Sequence, residues 1–228
     1  MTNYYEDERM SASRMKSYHS YDPAIAYHQE TAPLVSSDPL RLGSALHLLM
    51  EGKYKPEVSP HDTFRTKEAR SYRDAHPEAI TKAQYAEVQN WYQSMMGELL
   101  KHPEYATAHR EGTHEAEYYT EKFKARVDLI HGPLILDWKT TRHTHIRDVI
   151  REYRWNGSAL QAAHYLDMSG ADRFVFVIVS KTPPYPVWIL PCEPEFIEYG
   201  LSLREQALTY REEYLKGVMP NYSLGGDE

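Results

Sequence analysis

Two aspartates and a lysine are the residues of this sequence best suited to chemistry. Asp137 and Lys139 stand two apart in LILDWKTT, residues 134–141, and Asp128 lies upstream across His131-Gly132-Pro133. Three apolar residues lead into Asp137, the mark of a buried strand, where an unpaired charge is costly. Side chains alternate along a strand, so Asp137 and Lys139 share a face and Trp138 takes the other. If the turn at 131–133 joins two paired strands, Asp128 falls near the end of one and Asp137 near the end of the next. Two converging carboxylates form a hard-oxygen site of the kind magnesium favours, completed by waters and phosphate oxygens. Such an ion polarises a phosphate and lowers the pKa of a bound water. Lys139 could orient that water or offset transition-state charge. An ordinary ion pair between neighbouring strands accounts for the spacing equally well.

The elements that must position these residues follow from periodicity and punctuation. Ser11 or Ser13 can cap a short helix ending before Asp22-Pro23, and DPLRLGSALHLLMEGK reads as a helix closed by Gly52. Residues 53–81 are polar and broken by proline, an exposed excursion carrying FRTKEAR. A long helix from Lys82 to His102 places Val88, Trp91, Tyr92, Met95 and Leu99 at helical spacing. EAEYYTEKFKARVDLI reads as one or two strands, with LILDWKTT the next. IRDVIREYRW and SALQAAHYLDMSG are amphipathic helices, RFVFVIVSK is the expected central strand, and YPVWILP an edge strand. A helix from Glu195 to Lys216 follows, and NYSLGGDE is expected to fray. The expected fold is α/β, a mixed central sheet flanked by helices, with no internal domain boundary.

Asp128 followed by Asp137-Trp138-Lys139 resembles the core of the PD-(D/E)XK nucleases, with Asp-X-Lys as its second half. GSALH at 43–47 is similar to the Gly-(X)3-His element of RecB-like and RecE-like members, and QAAHY at 161–165 to their Gln-(X)3-Tyr motif. SASRMKSY resembles their serine-rich opening helix. The order and spacing most resemble the RecE-like branch over about residues 10–220. Val127 stands where the superfamily name has proline.

The resemblance implies one nuclease domain over 1–228, with flexible ends at about 1–10 and 221–228. It implies that Asp128 and Asp137 bind Mg2+ (Mn2+ substituting), aided by Glu115, His47 and the Trp138 backbone carbonyl. Lys139 would position or activate water. Glu117 is an alternate for Glu115, because the two would share a strand face. Gln161 and Tyr165, i and i+4 on a helix, would lie against the DNA backbone and the catalytic core. Arg65 and Lys67 would grip a phosphate, although a solvated loop explains them as well. The implied activity degrades linear duplex DNA from the 5′ end, leaving a 3′ strand for an annealing protein, with a ring of three or four subunits enclosing the DNA. A restriction-type endonuclease and a non-catalytic DNA-end-binding module are the rivals.

Composition bounds these readings. The 228 residues are 41% hydrophobic and 26% charged, as in a folded domain, and the 19 tyrosines suit surfaces apolar at one end and wet at the other. A net charge of −7 argues against a wholly basic DNA-coating surface but allows a local basic groove. The single cysteine, Cys192, excludes a four-cysteine cluster within the chain. The acidic opening MTNYYEDERM is unlike a secretory signal and no apolar run reaches membrane-spanning length, so a cytoplasmic protein, in a bacterium or phage-infected host, is expected.

Overall fold

The computed structural model of the chain describes residues 4–32 and 37–218. Five strands form one sheet in the order β1-β2-β3-β4-β5. They are β1 (Thr113–Tyr119), β2 (Lys124–His131), β3 (Leu134–Thr141), β4 (Arg173–Ser180) and β5 (Val187–Pro191). The first three run antiparallel, β3 and β4 are parallel, and β5 returns antiparallel along the edge. The only parallel pair needs a crossover, supplied by α7 (Ile146–Trp155) and α8 (Ser158–Ser169). The mixed sheet flanked by helices is as expected. β3 rather than β4 holds the centre, because β1 and β2 lie on one side of it and β4 and β5 on the other; β4 is interior, covered at its outer edge by β5.

Alternation along β3 sorts its neighbours. Leu134, Leu136 and Trp138 pack into a core with Leu46 and Met50 of α3 (Asp38–Glu51) and Val88, Trp91, Met95 and Leu99 of α5 (Lys82–Leu99). Ile135 packs on the other face with Val149 and Tyr153 of α7, Ala162 of α8 and Phe174 and Phe176 of β4. A third cluster joins α8 to α1 (Ala12–Ser20), α2 (Pro23–Thr31) and α9 (Pro194–Leu215). Asp137 thus points into the layer held by α7 and α8, and those helices are fixed in turn by α1 and α9.

Two of the helices absent from the periodicity reading, α2 and α6 (Pro103–Glu111), begin with proline. Proline ends the preceding helix yet is well placed at a helix's first position, where no N–H is needed. Asp22 caps α2, its carboxylate accepting from Ala24 N at 2.9 Å. Residues 53–81 are also more structured than expected. Thr66 caps α4 (Lys67–Ala75), Ala69 is buried, and a bridge between Val58 and Ile80 draws Ile80 into the α3–α5 core. Residues 4–10, expected within a flexible end, are tied down. Met10 bridges Phe123, and the Lys124 ammonium donates to the Tyr4 carbonyl at 2.6 Å and the Asp7 carbonyl at 2.5 Å. The tail at 221–228 lies outside the described residues.

α9 crosses α8 closely at Gly200, where a Cβ would collide with the Ala159 backbone carbonyl of α8 and crowd the Ala163 methyl. Only a bare α-carbon lets α9 seat this deeply. Gly200→Ala gains about 1 kcal/mol of helix propensity but forces the helices apart, which typically costs about 1–3 kcal/mol or more where backbone must move. Net destabilisation of about 2 kcal/mol is expected, read as a lowered urea midpoint at unchanged m-value; an unchanged midpoint would refute the packing argument.

Candidate active site

The sheet comes apart where the acids stand. β2 and β3 pair over Leu129↔Leu136, Ile130↔Ile135 and His131↔Leu134, while β3 stays paired with β4 as far as Thr141↔Ser180. The β1–β2 ladder skips the level between His114↔Leu129 and Ala116↔Val127, which is the level of Glu115 and Asp128. Glu115 has φ 50°, a left-handed conformation that costs a non-glycine residue about 1–3 kcal/mol and concentrates at functional sites. Asp128 fills part of the gap, its Oδ2 accepting from Trp138 N at 2.8 Å in place of a strand partner.

Around this break the side chains converge. His47 of α3 turns Nδ1 toward Asp128 Oδ1 at 3.4 Å and Glu115 Oε1 at 3.7 Å, and Nε2 toward the Trp138 carbonyl at 3.2 Å. The Lys139 ammonium pairs with Asp137 Oδ2 and approaches the Trp138 carbonyl at 3.4 Å. Gln161 of α8 donates from Nε2 to Asp137 Oδ1 at 2.8 Å. Arg126 closes the far side, Nε 2.9 Å from Glu115 Oε2, its guanidinium lying over the Tyr4 and Tyr5 rings.

Burial and crowding set the charge states. Asp137 has no solvent exposure, and burial pushes its carboxyl up to about 6; the Lys139 charge pulls it down and Asp128 pushes it up. Burial also disfavours the Asp128 carboxylate, but His47 and Lys139 outweigh it and hold the group below the ordinary range. For His47, burial favours the neutral ring, yet Asp128 and Glu115 win and raise it to about 10. Lys139 follows the same logic, its burial overridden by Asp137 and Asp128. Three carboxylates are therefore balanced by His47, Lys139 and Arg126.

The donor set fits a divalent cation. His47 Nδ1 and one oxygen each from Glu115 and Asp128 lie within 4.8 Å of one another. Asp137 Oδ2 is buried and, beyond its pairing with Lys139, accepts no hydrogen bond. Hard oxygens with one imidazole suit magnesium or manganese. Ligation requires neutral imidazole, so cation binding at His47 displaces its proton.

The structure gathers His47, Glu115, Asp128, Asp137, Trp138, Lys139 and Gln161 at one place. Glu117 is not among them. It stands two residues further along β1, opposite Arg126 rather than at the level of Asp128, and its carboxylate accepts from the Tyr119 hydroxyl at 2.7 Å. Gln161 is 7% exposed and its amide is occupied by Asp137, so it orients a carboxylate. Tyr165 is packed beside Phe174 and His164, and burial, then Asp137 and Asp128, keep its phenol protonated. Arg65 and Lys67 are exposed around the start of α4, outside the cluster. A methyl at Gly43, one turn before His47, would meet nothing within 4 Å, so no neighbouring atom explains the glycine.

Sequence reasoning missed two residues. Arg126 was passed over as one of the polar positions of an alternating strand. Lys16 lies in the SASRMKSY segment, and burial, then the nearby Lys139 charge, push its ammonium down to about 8, with Asp137 and Glu152 opposing. The serine-rich segment was the available signal, but a lone lysine in it carries no spacing that points to a strand 120 residues later.

A model of the PDDEXK-like domain of unknown function DUF3799 matches residues 11–223. The chain belongs to this PDDEXK-like family. Among solved structures, a candidate exonuclease from Eubacterium rectale superimposes with a TM-score of 0.67 at 15% identity, covering 93% of this chain and 83% of that one. A phage-related exonuclease from Haemophilus somnus 129PT matches at TM-score 0.43 and 11% identity, covering 92% and 96%. The alkaline exonuclease of Laribacter hongkongensis matches at 0.39 and 14%, covering 92% of each chain. No curated protein matches the sequence. The expected PD-(D/E)XK fold is therefore the fold this chain has. No helix among the described residues is long and apolar enough to cross a membrane.

A cation bound to the folded state alone stabilises it by about 2.7 kcal/mol at a hundredfold excess over Kd, roughly 5–10 °C in Tm for a domain of this size. Mg2+ or Mn2+ should raise the Tm of the wild type by this order and leave that of Asp128→Asn nearly unchanged in scanning calorimetry. An equal rise in both proteins would remove Asp128 from the metal site.

Proposed function

We propose that this protein is a metal-dependent exodeoxyribonuclease that hydrolyses phosphodiester bonds of linear duplex DNA. The observation that carries the reading is the break in the sheet, where Glu115, Asp128 and His47 bring three donor atoms within reach of one ion and buried Asp137 stands beside them holding Lys139. The fold shared with a candidate exonuclease supports it. Asp128, Asp137, Glu115, His47 and the Trp138 carbonyl would hold Mg2+, with Mn2+ able to replace it. The ion, when bound, supplies Lewis acidity to the scissile phosphate and a water of lowered pKa.

The chain's own residues supply the rest. The Lys139 ammonium, held charged between Asp137 Oδ2 and the Trp138 carbonyl, has donors left to orient a water and to offset charge on the phosphorane-like transition state. Gln161 locks the Asp137 rotamer, so the carboxylate need not reorganise during reaction. Trp138 anchors the strand from the opposite face, buried in the α3–α5 core, and so fixes the spacing of its two charged neighbours. Open space at Gly43 leaves room for a strand of DNA to approach beside His47. Tyr165, Arg65 and Lys67 are retained as DNA contacts in this reading. The activity would run 5′ to 3′ and leave a 3′ strand for a single-strand annealing protein, with a closed ring of three or four copies around the DNA.

Asp137→Ala should abolish cleavage with either ion, and Lys139→Ala should lower kcat by about 10²–10³ while leaving metal-dependent DNA binding intact. A folded Asp137→Ala protein with full activity would end the metal-site assignment.

Closed circular duplex should survive incubation with Mg2+ while the linearised form shortens from its 5′ ends, followed with either end labelled. Rapid internal cutting of the circle would select the restriction-type endonuclease. Binding of ends without any cutting would select the non-catalytic module.

A further inference from the structure

Helix α7 carries a face that the catalytic cluster does not use. Val149 and Tyr153 are buried against the sheet. On the opposite side Arg147, Ile150, Arg151, Arg154 and Trp155 follow at i, i+3, i+4, i+7 and i+8, one continuous stripe. All five are exposed; Ile150 is 44% and Trp155 66% exposed. Arg142, also exposed, precedes them in the connection from β3.

The charges of this stripe are unusually free. Several arginines elsewhere end on carboxylates, as Arg73 does on Asp38, Arg173 on Glu104, Arg204 on Asp167 and Arg211 on Glu30. Among the described residues Arg142, Arg147 and Arg154 have no ion-pair partner, and Arg151 has only Asp148 at 3.6 Å. In a chain of net charge −7, four neighbouring arginines with two acids among them, Asp148 and Glu152, leave a local cationic excess.

Its position ties it to the active site. β3 runs from Lys139 to Thr141, and both the Thr141 hydroxyl and His143 reach Glu152 Oε2 of α7, at 3.3 and 3.4 Å. At the other end His19 of α1 meets the Trp155 carbonyl at 3.3 Å. Lys16, one turn earlier on α1, lies within electrostatic reach of Lys139, Asp137 and Glu152. The end of the stripe at Trp155 borders a hollow of about 370 Å³ lined by His143, Asp148, Arg151, Glu152, Trp155 and Asn156, and Glu152 in that wall is the residue met by Thr141 at the end of the catalytic strand.

We propose that this outer face of α7 is the track that holds an unpaired DNA strand at the active site, with arginines on its phosphates and Trp155 stacked on a base. The proposal rests on the nuclease reading of the cluster. Arg147 to Arg154 spans about 10 Å along the helix, long enough for its guanidiniums to reach successive phosphates of one strand. An exposed indole and an exposed isoleucine serve little purpose against a duplex exterior, whereas an unstacked base offers a π-face to them. Guanidinium forks fit phosphate oxygens, which completes the match.

The test measures binding apart from cutting. In Asp137→Ala protein without divalent metal, a dT oligonucleotide is titrated at several salt concentrations, following tryptophan fluorescence and anisotropy of a labelled strand. Trp91 and Trp138 are buried and Trp188 half-buried, so quenching reports chiefly on Trp155. Trp155→Ala should abolish the quenching and weaken binding at least about 10-fold. The triple variant Arg147→Ala, Arg151→Ala, Arg154→Ala should weaken it more and lower the salt slope by about 2, at about 0.7 per lost phosphate contact. In cleaving protein the same substitutions should raise KM and leave kcat at saturation unchanged. Unaltered dT affinity and salt slope in both variants overturn the proposal. So does a drop in duplex affinity alone, or a smaller oligomer on sedimentation with dT binding intact, which would make the stripe a contact between copies. If the wild type cuts no DNA while the variants still lose dT affinity, the nuclease reading falls and the track stands.

Discussion

The structure depends on keeping like charges together in a place with little water. Asp137 is fully buried on the central strand, Asp128 stands across from it and Glu115 one strand further on. An apolar sheet would normally exclude such a trio, because each ionised carboxylate loses its hydration. Here His47, Lys139 and Arg126 surround the acids, and both strand ladders are interrupted so that side chains can take the place of backbone partners. The left-handed backbone at Glu115 is part of the same arrangement: a local strain that turns a carboxylate toward the others.

Much of the remaining architecture follows from holding that break open without letting the sheet unravel. β3 stays fully paired to β4 beyond the point where it leaves β2, so the catalytic strand is anchored on one side only. Trp138 fixes it from below and Gln161 from above. α8 can press Gln161 into place because Gly200 lets α9 seat against its backbone. In a chain of net charge −7, cationic groups gather inside the cluster and along the outside of α7. The first balances charge already present; in the second, among the described residues, only Arg151 has an acid partner, which is the condition for attracting a polyanion.

What the sequence by itself determined is what local periodicity and spacing can carry. An apolar run ending in Asp-Trp-Lys makes a buried strand with two charged side chains on one face, and that holds in the fold. The Gly-(X)3-His and Gln-(X)3-Tyr spacings put His47 and Gln161 on helices, and both reach the cluster. Only the tertiary structure separated Glu115 from Glu117, since the strand pairing sets Glu115 at the level of Asp128 and within reach of His47, and Glu117 two residues further on beside Tyr119. It also turned Gln161 onto Asp137, brought in Arg126 and Lys16, and revealed that Pro23 and Pro103 begin helices as well as end them. The division has a physical cause. Facing along one strand or helix is set by nearest-neighbour geometry, whereas the meeting of residues a hundred positions apart is set by how whole elements pack, and no local pattern encodes that.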